Sequence, residues 1–307
     1  MQHADVFTDY VQPFQIEAPG LRGRLVRLGP AVDDVLDRHG YPAPVAGILA
    51  EALAMGAVLA SGLKYDGVFT LQIQGDGPIS LLVVDITSDG ALRGYARFDP
   101  ERLENTGPGP ESPVPRFLGA GHMAFTVDQG PDTERYQGMT PLEGATLTDC
   151  AHTYFRQSEQ LETAITLCAP SDTGPAGTLR SAALMIQRLP ASGTADPDEE
   201  DDDWRRAVVM MSTVSAAELV DPHLNASDIL YRLFHEDGVR VYRQRALRHA
   251  CRCSRERVER TLCSFPRAEV ESMAEDGRLS VTCEFCKDVY EFSEGDLESL
   301  WALPPNA

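Results

Sequence analysis

Four of the seven cysteines stand in two close pairs in the last fifth of the chain. HACRCSRERV, His249 to Val258, carries Cys251 and Cys253, and VTCEFCKD carries Cys283 and Cys286, with 29 residues between the pairs. Four thiolates in C-x-C and C-x-x-C pairs suit a tetrahedral zinc site. Each short pair can chelate from one turn, while the distant second pair closes the module. The C-x-C spacing departs from the usual zinc-ribbon pattern, where both pairs have two or more intervening residues. Four protein sulfurs leave no open position for water, so Lewis-acid hydrolysis is not expected. His249 is superfluous as a ligand and reads as a basic or solvated side chain. Cys263 lies off both pairs and reads as a packed thiol.

The same constellation can act as a switch. Zinc–thiolate binding contributes roughly 10–16 kcal/mol of apparent folding energy, because the unfolded chain has no preformed site. Oxidation of neighbours would give Cys251–Cys253 and Cys283–Cys286 without long-range rearrangement, removing all four ligands together. Such tiny loops restrain the unfolded chain little, so the module should lose its fold. Arg240, Arg243, Arg245, Arg248, Arg252, Arg255, Arg257 and Arg260 collar the first pair in sequence. Cations there would favour thiolate and speed the first oxidation.

These residues need elements to position them. Residues 247–307 have few large apolar side chains, and domains of that size commonly need a metal, disulfide or partner. Residues 191–246 read as a linker, acidic and then helical. ASGTADPDEEDDD, Ala191 to Asp203, has a disordered composition. Its unbroken run Asp198 to Asp203 is either a solvated surface or a patch attracted to the arginine collar. Trp204, Ala207, Val208, Met211 and Val214 then share a helical face. Ser215 and Glu218 have capping-box spacing, and Ile229, Leu230, Leu233 and Phe234 stripe a further helix ending before Gly238. Val208, Met211, Leu230 and Phe234 mark an apolar face that needs a partner surface. That partner is either the preceding domain, permanently, or something else if the contact opens.

Residues 1–190 read as an α+β domain. Val68–Gln74, Ile79–Thr87 and Ala91–Phe98, joined by short Gly/Asp turns, predict an antiparallel meander. Another strand pair follows at Met123–Val127 and Glu134–Thr140. A helix starts near Thr146, with Leu147, Cys150, Ala151 and Tyr154 on one face. Cys150 and Cys168 are read as small buried hydrophobes. Val45–Leu63 is the longest apolar stretch, and Glu51 within it favours a core helix over a membrane span.

The chain has 307 residues, 43% of them hydrophobic, and a net charge of −20. That charge opposes binding to nucleic acid or anionic membranes. MQHADVFTDY holds neither a basic leader nor an apolar run, so no signal peptide is expected. A cytosolic location follows as the default, where thiols stay reduced.

Beyond the cysteines, LRGYARFD (Leu92 to Asp99), ERYQGMTPLEG (Glu134 to Gly144), YFRQSEQLET (Tyr154 to Thr163) and LFHEDGVRV (Leu233 to Val241) occur in a familiar order. Together they resemble the bacterial redox-regulated holdase chaperones, the 33-kilodalton heat-shock protein family. One departure is Glu162, where the family commonly has proline. The resemblance implies an ATP-independent chaperone, not an enzyme, quiet when reduced with one zinc per chain. It implies Cys251, Cys253, Cys283 and Cys286 as zinc ligands and as the disulfide switch. Oxidation would release zinc, unfold the module and linker, and expose surface for unfolded client proteins, with a homodimer as the active form.

Two rival readings use the same residues. One is a zinc-ribbon nucleic-acid-binding protein gripping phosphate with the arginine collar. The other is a thiol oxidoreductase using Cys283 and Cys286, although EFCKDVYEF reads as strand and turn rather than the helix start of such enzymes. No Ser/His/acid arrangement or phosphate-cradling glycine loop emerges.

Overall fold

The computed structural model describes residues 8–17, 20–107, 112–130, 133, 135–159, 161–170, 178–188 and 197–302. The start of the expected linker, 191–196, and Glu134 of an expected strand lie outside the described residues. The chain divides into two compact units, one ending at His249 and one beginning at Ala250.

The first unit is α+β. Its strands are β1 (Tyr10–Ile16), β2 (Leu21–Leu28), β3 (Val68–Gly75), β4 (Ile79–Thr87), β5 (Ala91–Phe98), β6 (Gly121–Asp128), β7 (Tyr136–Pro141), β8 (Thr163–Cys168), β9 (Ser181–Arg188), β10 (Val239–Val241), β11 (Arg245–Ala246) and β12 (Arg248–His249). Its helices are α1 (Pro30–Asp37), α2 (Ala43–Gly62), α3 (Pro100–Asn105), α4 (Leu147–Tyr154), α5 (Pro197–Ser212), α6 (Ala216–Val220) and α7 (Ala226–Phe234). One sheet runs β10-β1-β2-β9-β8, with β11 also on β1; the other runs β12-β5-β4-β3-β6-β7. The expected meander is β3-β4-β5, antiparallel throughout. Its second turn needs glycine. Gly90 has φ +87°, and a Cβ there would lie 2.5 Å from the Ala246 carbonyl oxygen.

The long apolar stretch is α2, which packs against β2 and β9 of one sheet and β3, β4 and β5 of the other. A helix covered on two sides must be apolar nearly all round, and Leu49, Leu53, Met55 and Val58 are all fully buried. By length and composition α2 could cross a membrane, yet its place is the centre of this sandwich. Small residues let the layers close. A Cβ on Gly56 would meet Val84 Cγ1 at 2.9 Å.

Helices α5, α6 and α7 cover the opposite face of the first sheet. Ala207, Met211, Leu219, Leu230 and Phe234 bury themselves with Phe14, Leu21, Leu25 and Ile186, and the Phe14 and Phe234 rings stack at 5.9 Å. The expected capping box forms at Ser215 with Glu218 on α6, and a second one, Thr146 with Asp149, opens α4 where a helix start was expected. The acidic run corrects the disordered reading, since Asp198 to Asp203 lie in the first turns of α5. An acidic segment suits that end of a helix, where unpaired N–H groups and the macrodipole favour negative charge. Asp201 pairs with Arg188, Asp202 with Arg205 and Asp203 with Arg206. None of these partners belongs to the arginine collar.

The second unit comprises α8 (Arg255–Leu262), α9 (Arg267–Ser272), β13 (Arg278–Thr282), β14 (Val289–Ser293) and α10 (Glu294–Ala302), with β13 and β14 an antiparallel pair. Among the described residues its buried apolar cluster is Leu262, Val270, Leu279, Phe292 and Leu297, with half-buried side chains such as Val258, Val281 and Trp301 packed around it. At roughly 1.5–3 kcal/mol per fully buried large side chain, so small a core offsets little of the chain entropy lost on ordering the unit.

Candidate metal centre

Both cysteine pairs lie in the second unit, on short irregular segments next to regular elements. Cys251 and Cys253 precede α8, whose first turn is capped by the Ser254 hydroxyl accepting from the Arg257 amide. Cys283 and Cys286 lie on the turn joining β13 to β14. There the Cys283 amide donates to the Asp288 carbonyl at 2.9 Å, and the Lys287 amide donates to the Cys283 carbonyl at 2.9 Å. Lys287 takes φ +60°, which folds the chain back tightly around the pair.

These segments bring the four sulfurs together, all within 4.8 Å of one another. Cys251 and Cys283 Sγ are 3.7 Å apart, and Cys253 and Cys286 Sγ 3.2 Å. Sulfurs at ~2.3 Å around a tetrahedral zinc would be separated by about 3.8 Å. The donor set and its dimensions therefore fit a metal ion. Cys286 is buried and the other three are half-buried.

Comparison with known proteins agrees with this architecture. The family model described as "Hsp33 protein" matches residues 9–293. The chain belongs to the Hsp33 family. A protein named 33 kDa chaperonin from Caulobacter vibrioides is 45% identical over 289 residues, covering 93% of this chain and 95% of that one. Another 33 kDa chaperonin, from Pseudomonas fluorescens, is 34% identical over 297 residues, covering 96% and 94%. The crystal structure of the 33 kDa chaperonin from Thermotoga maritima shares the fold, with TM-score 0.80 at 24% identity over 96% of this chain and 98% of that one.

Several expectations about the surroundings of the Hsp33 thiols need correction. Burial pushes the Cys253 and Cys286 thiols up, and no arginine is among the causes. The collar is dispersed by the fold. Arg240 pairs with Glu17 and Arg248 with Asp89, both in the first unit. Arg255, in the second, pairs with Glu259 and Asp296 and lies over the Phe292 ring. Burial thus works against thiolate at Cys253 and Cys286, whereas a bound cation would favour it. This dispersal leaves Arg252, Arg255, Arg257 and Arg260 of the collar in the second unit. His249 is a strand residue of β12, opposite Leu92. Its burial lowers the imidazole pKa, so the ring is not the solvated base expected. Cys263 is exposed rather than packed, at the C-cap of α8 with its thiol directed to the Leu300 carbonyl. Cys150 and Cys168 are buried, as read.

Two residues escaped the sequence reading. Tyr290 on β14 donates its hydroxyl to Cys253 Sγ at 3.1 Å, and lies opposite Val281 in the β13–β14 register. A tyrosine four positions beyond a C-x-x-C pair was the available signal. Arg27 on β2 is 3% exposed and reaches the backbone of the α6–α7 segment. Its signal was phase, since it shares the strand face of Leu21 and Leu25. Of the four linker-face residues, Met211, Leu230 and Phe234 are buried on the first sheet, and Val208 is half-buried at the margin.

Proposed function

We propose that the protein is a redox-regulated, ATP-independent holdase chaperone of the cytoplasm, quiet when reduced and carrying one zinc per chain. The observation that carries this reading is the four-sulfur cluster inside a unit whose own apolar core is minimal. Cys251, Cys253, Cys283 and Cys286 would hold the ion, and its binding energy would supply the stability the core lacks.

Peroxide chemistry at these sulfurs balances simply. One thiolate attacks a peroxide oxygen and the O–O bond breaks, giving a sulfenic acid and hydroxide. The neighbouring thiolate attacks the sulfenic sulfur, closes the disulfide and releases a second hydroxide. Each pair of thiolates thus passes two electrons to one peroxide as its disulfide forms. With pairs Cys251–Cys253 and Cys283–Cys286 formed, no thiolate is left to hold a cation. The second unit and the linker, 191–246, would then lose order. The apolar surface of α5–α7 and of the sheet beneath would be freed for unfolding client proteins, with a homodimer as the active form.

The test is a peroxide titration of the reduced, zinc-loaded chain, following metal release and suppression of client aggregation together. About one zinc per chain should leave in step with the gain in holdase activity. Retention of the metal after both disulfides form, or full activity before oxidation, overturns the reading.

A further inference from the structure

Three arginines gather at the C-terminal end of α2 with no carboxylate among them. Arg22 and Arg24 alternate on one face of β2, about 7 Å apart along the strand. Arg245 comes from β11, on the far side of β1. Arg24 Nε donates to the Ser61 carbonyl at 3.0 Å, and Arg245 Nη2 donates to the same oxygen at 3.2 Å. Arg22 Nε donates to Gln187 Oε1 at 3.3 Å. Every one of these acceptors is neutral, and among the described residues none of the three arginines has an ion-pair partner. Arg24 Nη1 is buried with no hydrogen-bond partner among the described residues.

Capping a helix C-terminus accounts for only part of this. The macrodipole end is worth roughly half a negative charge, and a single guanidinium more than answers it. Two cations remain in excess, in a chain with 47 acidic and 27 basic side chains from which neutralising partners could have come. The crowding is felt at Arg24, whose pKa falls to about 10 through burial and then through repulsion from Arg22 and Arg245. Cavities open on both sides, one lined by Ser61, Tyr65, Arg245 and the Arg248-paired Asp89, the other by Arg22 and Gln187 against a largely apolar wall.

We propose that Arg22, Arg24 and Arg245 form an oxyanion site that takes a phosphate dianion, free or as the terminal group of a phosphate ester. Planar guanidiniums match phosphate oxygens in fork geometry, and a dianion would satisfy the buried Nη1 while neutralising most of the cluster. The bound anion would tie β2 to β11. The site stands independently of the cysteine chemistry.

Thermal melting of the reduced full-length chain against inorganic phosphate tests the site, with sodium chloride at matched ionic strength. The midpoint rises saturably with phosphate and not with chloride. Arg22→Gln relieves repulsion, so it raises the midpoint in phosphate-free buffer and weakens phosphate binding roughly tenfold. Arg245→Gln, at an exposed position, weakens it similarly. Purely structural capping predicts the reverse, a lower midpoint and an unchanged phosphate response. A parallel titration with phenyl phosphate separates the sources. A gain equal to that with phosphate points to an ester, and a gain with phosphate alone points to the free ion. No saturable gain, or an equal gain in the parent and both variants, overturns the proposal.

Discussion

Arg27 Nε donates to the main-chain carbonyl of Leu219 at 2.6 Å, joining β2 to the last turn of α6. The same guanidinium donates to the carbonyls of Leu224 at 2.5 Å, Asp221 at 2.6 Å and Glu218 at 3.3 Å. Those oxygens lie at a helix end and the turn after it, where backbone acceptors lack intrahelical partners. One buried cation thus fastens the α6–α7 segment to the sheet. Arg27→Met keeps the length and loses the donors, costing on the order of 3 kcal/mol. Amide exchange across 216–234 should rise roughly a hundredfold in the reduced protein, with exchange in the second unit unchanged. Unaltered protection of 216–234 would show that Arg27 is no fastening.

Phe234 is 1% exposed and stacks on Phe14. An unpaired carboxylate there is strongly disfavoured, so Phe234→Glu should undock α7 and raise suppression of client aggregation without oxidant. Val208→Glu, at the half-buried margin, should do so more weakly. If both variants stay compact and silent while reduced, linker docking does not restrain activity.

Tyr290 holds Cys253 through its hydroxyl. Partners of this kind orient metal ligands, and their loss commonly costs 10–100-fold in affinity. Tyr290→Phe should therefore release zinc to a competing chelator at least about tenfold more readily. It should also shift the thiolate-to-metal charge-transfer band of the cobalt-loaded protein. An unmoved band together with unchanged retention would reduce Tyr290 to packing.

Burial raises the Glu51 carboxyl in α2 from 4.5 to about 7. A folded-state pKa above the unfolded one means the folded chain keeps this proton longer. The group's stabilising effect is thus fully present below about pH 4.5 and is lost as the pH rises through about 7. Glu51→Gln stays neutral throughout. It should be more stable than the parent above pH 7 by on the order of 2–3 kcal/mol, and equally stable near pH 4. Melting curves of both proteins across this range decide the matter, and a pH-independent difference would exclude the burial penalty.

Sequence patterns set by neighbours along the chain were readable. Ile79–Thr87 and Ala91–Phe98 form strands between those very bounds, because alternation and Gly/Asp turns are local signals. Thiol spacing likewise announced the four-sulfur cluster. What depends on distant partners was not readable. The arginine collar looked continuous because sequence proximity was taken for spatial proximity, whereas Arg240 and Arg248 pair with Glu17 and Asp89. The acidic run looked too polar to fold, yet a helix start accepts such charge. Cys253 looked primed for ionisation, and burial reverses that. Arg27 and Tyr290 act through contacts made only after strands have paired.

The strap of residues 239–249 carries β10 and β11 along one sheet and β12 along the other. Peeling it away would bare the selvedge of both sheets in a single event, leaving main-chain donors and acceptors on β1 and β5 without mates. The order of the strands thus couples loss of this strap to both sheets at once.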